Sequence, residues 1–182
     1  MLMTANVQHI PFQDPESGLY QVIIETPKGS RNKYTYDDQH NLYVLKGVLP
    51  AGASFPYDFG FLPSTLGEDG DPLDVLLLLD EPAFPGCLVQ ARIIGVLVVE
   101  QTEEGHTLRN DRFLAVSALS KIHQSIQDLK DLDKHLVEQI EHFFKSYNEI
   151  KGQEFKVSGR YGPKKAAELI KAGGKLFEGN RP

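Results

Sequence analysis

Residues 68–74 read EDGDPLD and crowd Glu68, Asp69, Asp71 and Asp74 together just before the apolar run 75–79. Carboxylates this close repel one another and disfavour their own ionisation. An Asp- and Gly-rich segment is by default a solvated turn. Here Gly70 and Pro72 bend and stiffen the chain so that Asp69, Asp71 and Asp74 converge, and the apolar run behind them anchors the loop in a core. Converging carboxylates ask for cations. Hard divalent ions take oxygen ligands, and Mg²⁺ keeps several waters while using a few carboxylates together with substrate phosphates. A calcium-hand loop is excluded, because its D-x-D-x-D-G spacing and closing Glu are missing.

The elements that must position this loop are legible as two textures. Up to about residue 120, Gly and Pro punctuate short apolar or alternating runs, which predicts strands at 19–26, 32–37, 41–49, 74–79, 87–101 and 111–118. Short strands separated by turns predict an antiparallel barrel or sandwich rather than a parallel sheet with alternating helices. Farther on, Leu132, Leu136, Ile140, Phe143, Phe144 and Tyr147 recur at three- and four-residue steps, predicting an amphipathic helix over 131–148. A second helix is predicted from Pro163 to Gly173, with Pro early and Gly as its stop.

Composition narrows the function classes. With 182 residues, 41% hydrophobic and 24% charged, the chain reads as a single domain, residues 1–182, with a sizeable core. Its one cysteine, Cys87, cannot form an internal disulfide, so a reducing, cytoplasmic setting is expected. The first 18 residues show no charged lead-in before an apolar core, and no later stretch is long enough to span a bilayer, so neither export nor a membrane partner is expected. A net charge of -6 argues against nucleic acid, whose phosphates are gripped by Lys and Arg.

The loop also carries a resemblance. DGDPLDV (69–75) resembles the signature of the soluble family I inorganic pyrophosphatases: Asp, variable, Asp, Pro, apolar, Asp, apolar. VIIETPKGSRNKY (22–34), FPYDFGF (55–61), RNDRFLAV (109–116) and QIEHFFKSY (139–147) follow in that family's order, so the likeness covers roughly residues 19–172. It implies a mainly β chain with flanking α-helices, built on a five-stranded closed barrel of the OB type. It implies hydrolysis of pyrophosphate to two orthophosphates with several Mg²⁺ ions per subunit, Mn²⁺ or Zn²⁺ being possible substitutes, in a homo-oligomer, commonly a homohexamer. The chemistry is coherent: cations neutralise an anionic substrate that repels hydroxide, and a water bridging two of them loses its proton near neutral pH.

The same resemblance distributes roles. It makes Asp69 and Asp74 metal ligands, and Asp71 the catalytic base that orients and deprotonates the attacking water. Glu25 matches an early acidic residue near further metals, and Glu103 falls in EEG (103–105), where Asp-Glu-Gly is usual. Lys33 matches a substrate lysine, Lys46 stands where an Arg is usual, Arg112 where a Lys is usual, and Tyr147 matches a phosphate-contacting tyrosine that also fits the helix stripe. Arg binds phosphate through a planar fork and Lys as a point charge, so these exchanges keep the sign and change the geometry.

Departures from the family pattern are specific. Thr35 replaces a second early Glu, Phe55 and Phe59 replace two tyrosines, and Asn148 replaces the Lys after Tyr147, removing a positive charge. RNDR puts Asn110 where a metal-binding Asp is expected and Asp111 one place later. One residue along a strand changes the face, so either the chain bulges locally or Asn110 binds through its neutral oxygen. A lone loop residue such as His106 is by default solvated. Three functions follow: a Mg²⁺-dependent inorganic pyrophosphatase, a non-catalytic OB-type binding module, or a phosphohydrolase acting on another phosphoanhydride.

Overall fold

The computed structural model describes Val7 and residues 10–180; the rest of the N-terminal stretch lies outside the described residues. In chain order these form β1 (Tyr20–Thr26), β2 (Asn32–Asp37), β3 (Leu42–Val48), β4 (Asp58–Leu62), β5 (Leu73–Leu78), β6 (Leu88–Glu103), β7 (His106–Arg109), β8 (Arg112–Ser117), α1 (Lys134–Ile150), β9 (Glu154–Tyr161) and α2 (Pro163–Gly179). No helix among the described residues is long and apolar enough to cross a membrane.

Five strands close on themselves. The order is β1, β4, β5, β8, β6, and β6 pairs again with β1. This ring is the five-stranded OB-type arrangement that the resemblance implies. One pair departs from the antiparallel expectation: β5 and β8 run parallel, with Asp74 opposite Arg112 and Leu78 opposite Val116. The long strand β6 continues past the ring to hold β7 and β9, while β2 and β3 form a separate two-stranded hairpin.

Period-two alternation explains why β5 and β8 read as continuous apolar runs. Leu76, Leu78, Leu114 and Val116 join the cluster under α1 with Val137, Ile140 and Phe144. Their neighbours Val75, Leu77, Phe113 and Ala115 join the cluster under α2 with Ala166 and Ile170. Both faces are covered, so both must be apolar. Asp74, Asn110 and Arg112 share the parity of the α1 face, and Asp111 shares that of the α2 face.

The helices differ from expectation at their ends. α1 starts at Lys134, where the Asp133 side chain accepts the His135 N–H at 2.8 Å. Gly173 does not stop α2, which runs on to Gly179. A Cβ at 173 would lie 2.7 Å from Leu73 Cδ1. Glycine there lets the helix lie close against the base of β5.

Candidate active site

The acidic loop is a tight, tied turn. The Thr65 hydroxyl donates to the Leu62 carbonyl at 2.6 Å and accepts the Leu73 N–H at 3.0 Å, fastening the chain on both sides. Leu66 N–H donates to the Gly173 carbonyl at 3.1 Å and docks the loop on α2. Inside it, Gly67 N–H donates to the Asp71 carbonyl at 2.8 Å, Asp71 N–H donates to Asp69 Oδ1 at 3.2 Å, and Gly70 takes φ 87°. Asp69, Asp71 and Asp74 are thereby brought to the wall of one cavity of about 1010 Å³.

Strand β1 and the hairpin supply the opposite wall. Glu25 is buried, accepts the Tyr36 N–H at 2.8 Å and lies 3.4 Å from the Lys33 ammonium. Lys33 Nζ stands 4.0 Å above the centre of the Phe59 ring, so the face of this Phe holds the lysine where a hydroxyl is absent. Phe59 in turn packs on Phe55 and Phe144. Lys46, on β3, reaches the same cavity, as does Thr35.

At the β7–β8 junction the two alternatives separate. Asn110 lines the cavity: its Nδ2 donates to Gln101 at 3.1 Å, and its side-chain oxygen accepts from Arg112. Asp111 turns the other way, accepting the Val99 N–H at 3.1 Å and pairing with Arg109 at 2.7 Å. Asp111, expected as a metal ligand, thus does not line the cavity that gathers Asp69, Asp71 and Asp74. No bulge carries it into the cavity, and it spends its charge on a neighbouring arginine. Arg112 is nearly fully buried, with Nη1 2.8 Å from Asp74 and its guanidinium over the Phe144 and Phe155 rings.

Tyr147 and Glu103 also line the cavity, Tyr147 stacked on Phe143 and Glu103 accepting the Gln153 side chain at 2.9 Å. Among the lining residues not anticipated from sequence are Gln101, Lys151 and Gln153. Gln101 donates to Gln153 at 2.7 Å, and that chain of amides orients both Glu103 and Asn110. Their signal was the β6–β9 pairing, which the sequence did not betray because β9 was not read as a strand. His106 lies exposed at the rim.

Electrostatics single out the carboxylates. Loss of solvent, then the Asp74 and Asp71 charges, push Asp69 up to about 6. Loss of solvent and the charge of Asp74 also raise Asp71, and burial raises Glu25 despite its lysine. Among the described residues no three acidic, His or Cys groups close around a point as a ready-made ion cage. Oxygen donors are instead spread along a wall, which suits a hard ion that keeps its waters and completes its shell with phosphate. The donor set fits divalent cations of that kind.

The chain is similar to known proteins in both sequence and fold. The family described as inorganic pyrophosphatase matches residues 22–178. The inorganic pyrophosphatase of Synechocystis sp. is 39% identical over 154 residues, 85% of this chain and 88% of the relative. That of Thermus thermophilus is 37% identical over 171 residues, 92% of this chain and 95% of the relative. The crystal structure of the Thermus thermophilus enzyme superposes with a TM-score of 0.87, covering 96% of this chain and 99% of that one, and that of Neisseria gonorrhoeae with 0.84 at 31% identity, covering 94% and 98%. Matches of this extent, on a ring that carries the acidic loop at its rim, mean that the chain belongs to the inorganic pyrophosphatase family.

Proposed function

We propose that this chain hydrolyses pyrophosphate to two orthophosphates in the acidic cavity, using divalent cations, Mg²⁺ foremost. The observation that supports it is the meeting, on one cavity, of Glu25, Asp69, Asp71 and Asp74 with Lys33, Lys46 and Arg112. A dianionic or more highly charged substrate fits no other composition as well: cations to hold it, and acids to hold the ions that neutralise it.

Asp69, Asp74 and Glu25 would hold the ions, with Glu103 and the side-chain oxygen of Asn110 at the outer edge. Bound there, the ions supply charge neutralisation of the phosphates and acidify a water. Asp71 would take a proton from the attacking water. It projects at the exposed mouth of the cavity, with no ion pair of its own among the described residues, where an entering water can reach it. Lys33, steadied between Glu25 and the Phe59 face, and Lys46 neutralise phosphate oxygens as charge builds on them. Arg112 keeps Asp74 aimed into the cavity through Nη1. Tyr147 offers a hydroxyl at the same wall.

The test is phosphate release from pyrophosphate with Mg²⁺, Mn²⁺, Zn²⁺ or chelator. Release with Mg²⁺ that stops with chelator is expected. Release only from longer polyphosphates or nucleotides would replace the substrate, and no release would leave a binding module. We further propose a homohexamer acting in the cytoplasm. Phe84, Leu119 and Ile122, at 68%, 85% and 70% exposure, supply apolar surface that a second copy would cover, and light scattering on the eluting protein measures it.

A further inference from the structure

The end of α1 replaces a charge that its sequence lacks. Asn148 follows Tyr147 and is 2% exposed, with its Nδ2 donating to the Phe144 carbonyl at 2.7 Å. That side chain is folded back on its own helix and presents no charge. Its backbone carbonyl accepts the N–H groups of both Lys151, at 2.9 Å, and Gln153, at 3.0 Å, so the residues closing the helix are pinned to it. Lys151 is the C-cap of α1 and lines the cavity, its Nζ 4.1 Å above the centre of the Tyr147 ring.

The setting of this ammonium differs from that of other lysines on the helix. Lys134 lies within 3.6 Å of Glu138 and Lys145 within 4.0 Å of Glu149, both on the outer surface. Lys151 makes no ion pair among the described residues. Loss of solvent, then the Arg112 charge, hold its ammonium below the ordinary lysine range. A cation that rests on an aromatic face at the cavity wall and forms no ion pair is stabilised by an anion entering beside it. The ring restricts where the ammonium can go, and the negative end of the helix dipole favours a cation at this terminus.

We propose that Lys151 is a substrate-binding residue, contacting a terminal phosphate of the substrate from the Tyr147 platform and supplying the charge absent at Asn148. The proposal rests on the pyrophosphatase reading above for its substrate, and on the geometry at the end of α1 for its residue. Phosphate oxygens accept from the ammonium as a point charge, without the fixed fork that an arginine imposes.

The experiment measures kcat and KM for pyrophosphate with Mg²⁺, and calorimetric binding of pyrophosphate with Ca²⁺, for the wild type and for Lys151→Gln, Lys151→Arg and Lys145→Gln. Losing one charge-assisted contact raises KM and the dissociation constant about tenfold or more in Lys151→Gln, and Lys151→Arg recovers most of it. Lys145→Gln, on the outer face of the same helix, stays at wild-type values. Equal KM and equal binding in Lys151→Gln and wild type overturn the proposal. So does a loss in Lys151→Gln that Lys151→Arg shares in full, since a positive charge would then not be the cause. A wild type that binds pyrophosphate without hydrolysing it, with binding weakened in Lys151→Gln, ends the pyrophosphatase reading and keeps the anion contact. A wild type that neither binds nor hydrolyses it ends both.

Discussion

Strand β5 has acid at both ends, and the two ends treat it in opposite ways. Just beyond its last residue, Asp80 accepts the Ser120 hydroxyl at 2.5 Å, the Lys121 N–H at 2.8 Å and the Ile122 N–H at 3.3 Å. Those donors, the Ser120 hydroxyl first, hold its carboxyl below the usual range. At the other end Asp69 receives one backbone N–H, and loss of solvent with two neighbouring carboxylates pushes it up to about 6. An acid that ties loops together is given donors by the fold. Asp69 and Asp71 are left without a cation of their own among the described residues, and that deficit is what a divalent ion and its phosphate ligand would fill.

Breaking the comparison at its functional end produces the largest effect. Asp71→Asn lowers kcat for pyrophosphate by about 10²–10⁴-fold, the range of a lost general base, while its melting curve stays close to wild type. Steady-state phosphate release alongside calorimetric melting reads both. An active Asp71→Asn enzyme would remove Asp71 from the mechanism.

A smaller effect, of unusual sign, is expected at Asp69. Its folded-state value of about 6 lies above the ordinary 3.8, so the metal-free folded protein binds that proton more tightly than the unfolded chain does. The resulting stability is full below about pH 4 and is lost as pH rises through 6. Asp69→Asn therefore melts about 2–4 °C above wild type at pH 7.5 without metal, and level with it at pH 4, a gain of about 1 kcal/mol after allowance for partial exposure. The same variant gains less than wild type from added Mg²⁺, because a ligand that binds only the folded state stabilises by mass action and this variant has lost a carboxylate to bind it. Scanning calorimetry with and without Mg²⁺ measures all three, and a lower metal-free melting point at pH 7.5 would show that Asp69 is held by contacts rather than strained.

How much of this could be read from sequence follows the physics of each signal. The acidic loop and β1, β2, β3, β5, β6 and β8 were legible because Gly and Pro bracket apolar runs. β4 was hidden inside FPYDFGF, a Gly-interrupted aromatic stretch. A Cβ at Gly60 would lie 2.0 Å from the Ile23 carbonyl, so the strand needs glycine for close pairing with β1, and local propensity cannot report that. Gly173 misled in the same manner, as a packing glycine resembles a helix stop. Asn110 and Asp111 differ in parity, and only the packing of β8 beside β5 shows which of the two faces the cavity. Lys151 gives no signal in sequence because its place depends on the turn after α1 and on β9, whose polar, alternating residues mark no apolar run.

The smallest expected effect sharpens the comparison from the structural end. Asp80→Ala removes an acceptor for two backbone N–H groups and a hydroxyl, so its melting point falls by a few degrees at pH 7.5 while kcat/KM stays at the wild-type value. The pH dependence runs opposite to that of Asp69. A carboxyl held below its ordinary value contributes stability above pH 3.8 and loses it as pH falls through its folded value, so the gap between wild type and Asp80→Ala closes toward acid pH. The Asp69→Asn gap also closes there, but from the side on which the variant is the more stable. Melting curves of both variants from pH 2.5 to 7.5 therefore bracket the wild-type curve at neutral pH; Asp69→Asn meets it by about pH 4, and the Asp80→Ala gap narrows only below pH 3.8. Two variants displaced to the same side would mean that the acids at the two ends of β5 are held alike, and that the acidic loop has no electrostatic need of a cation.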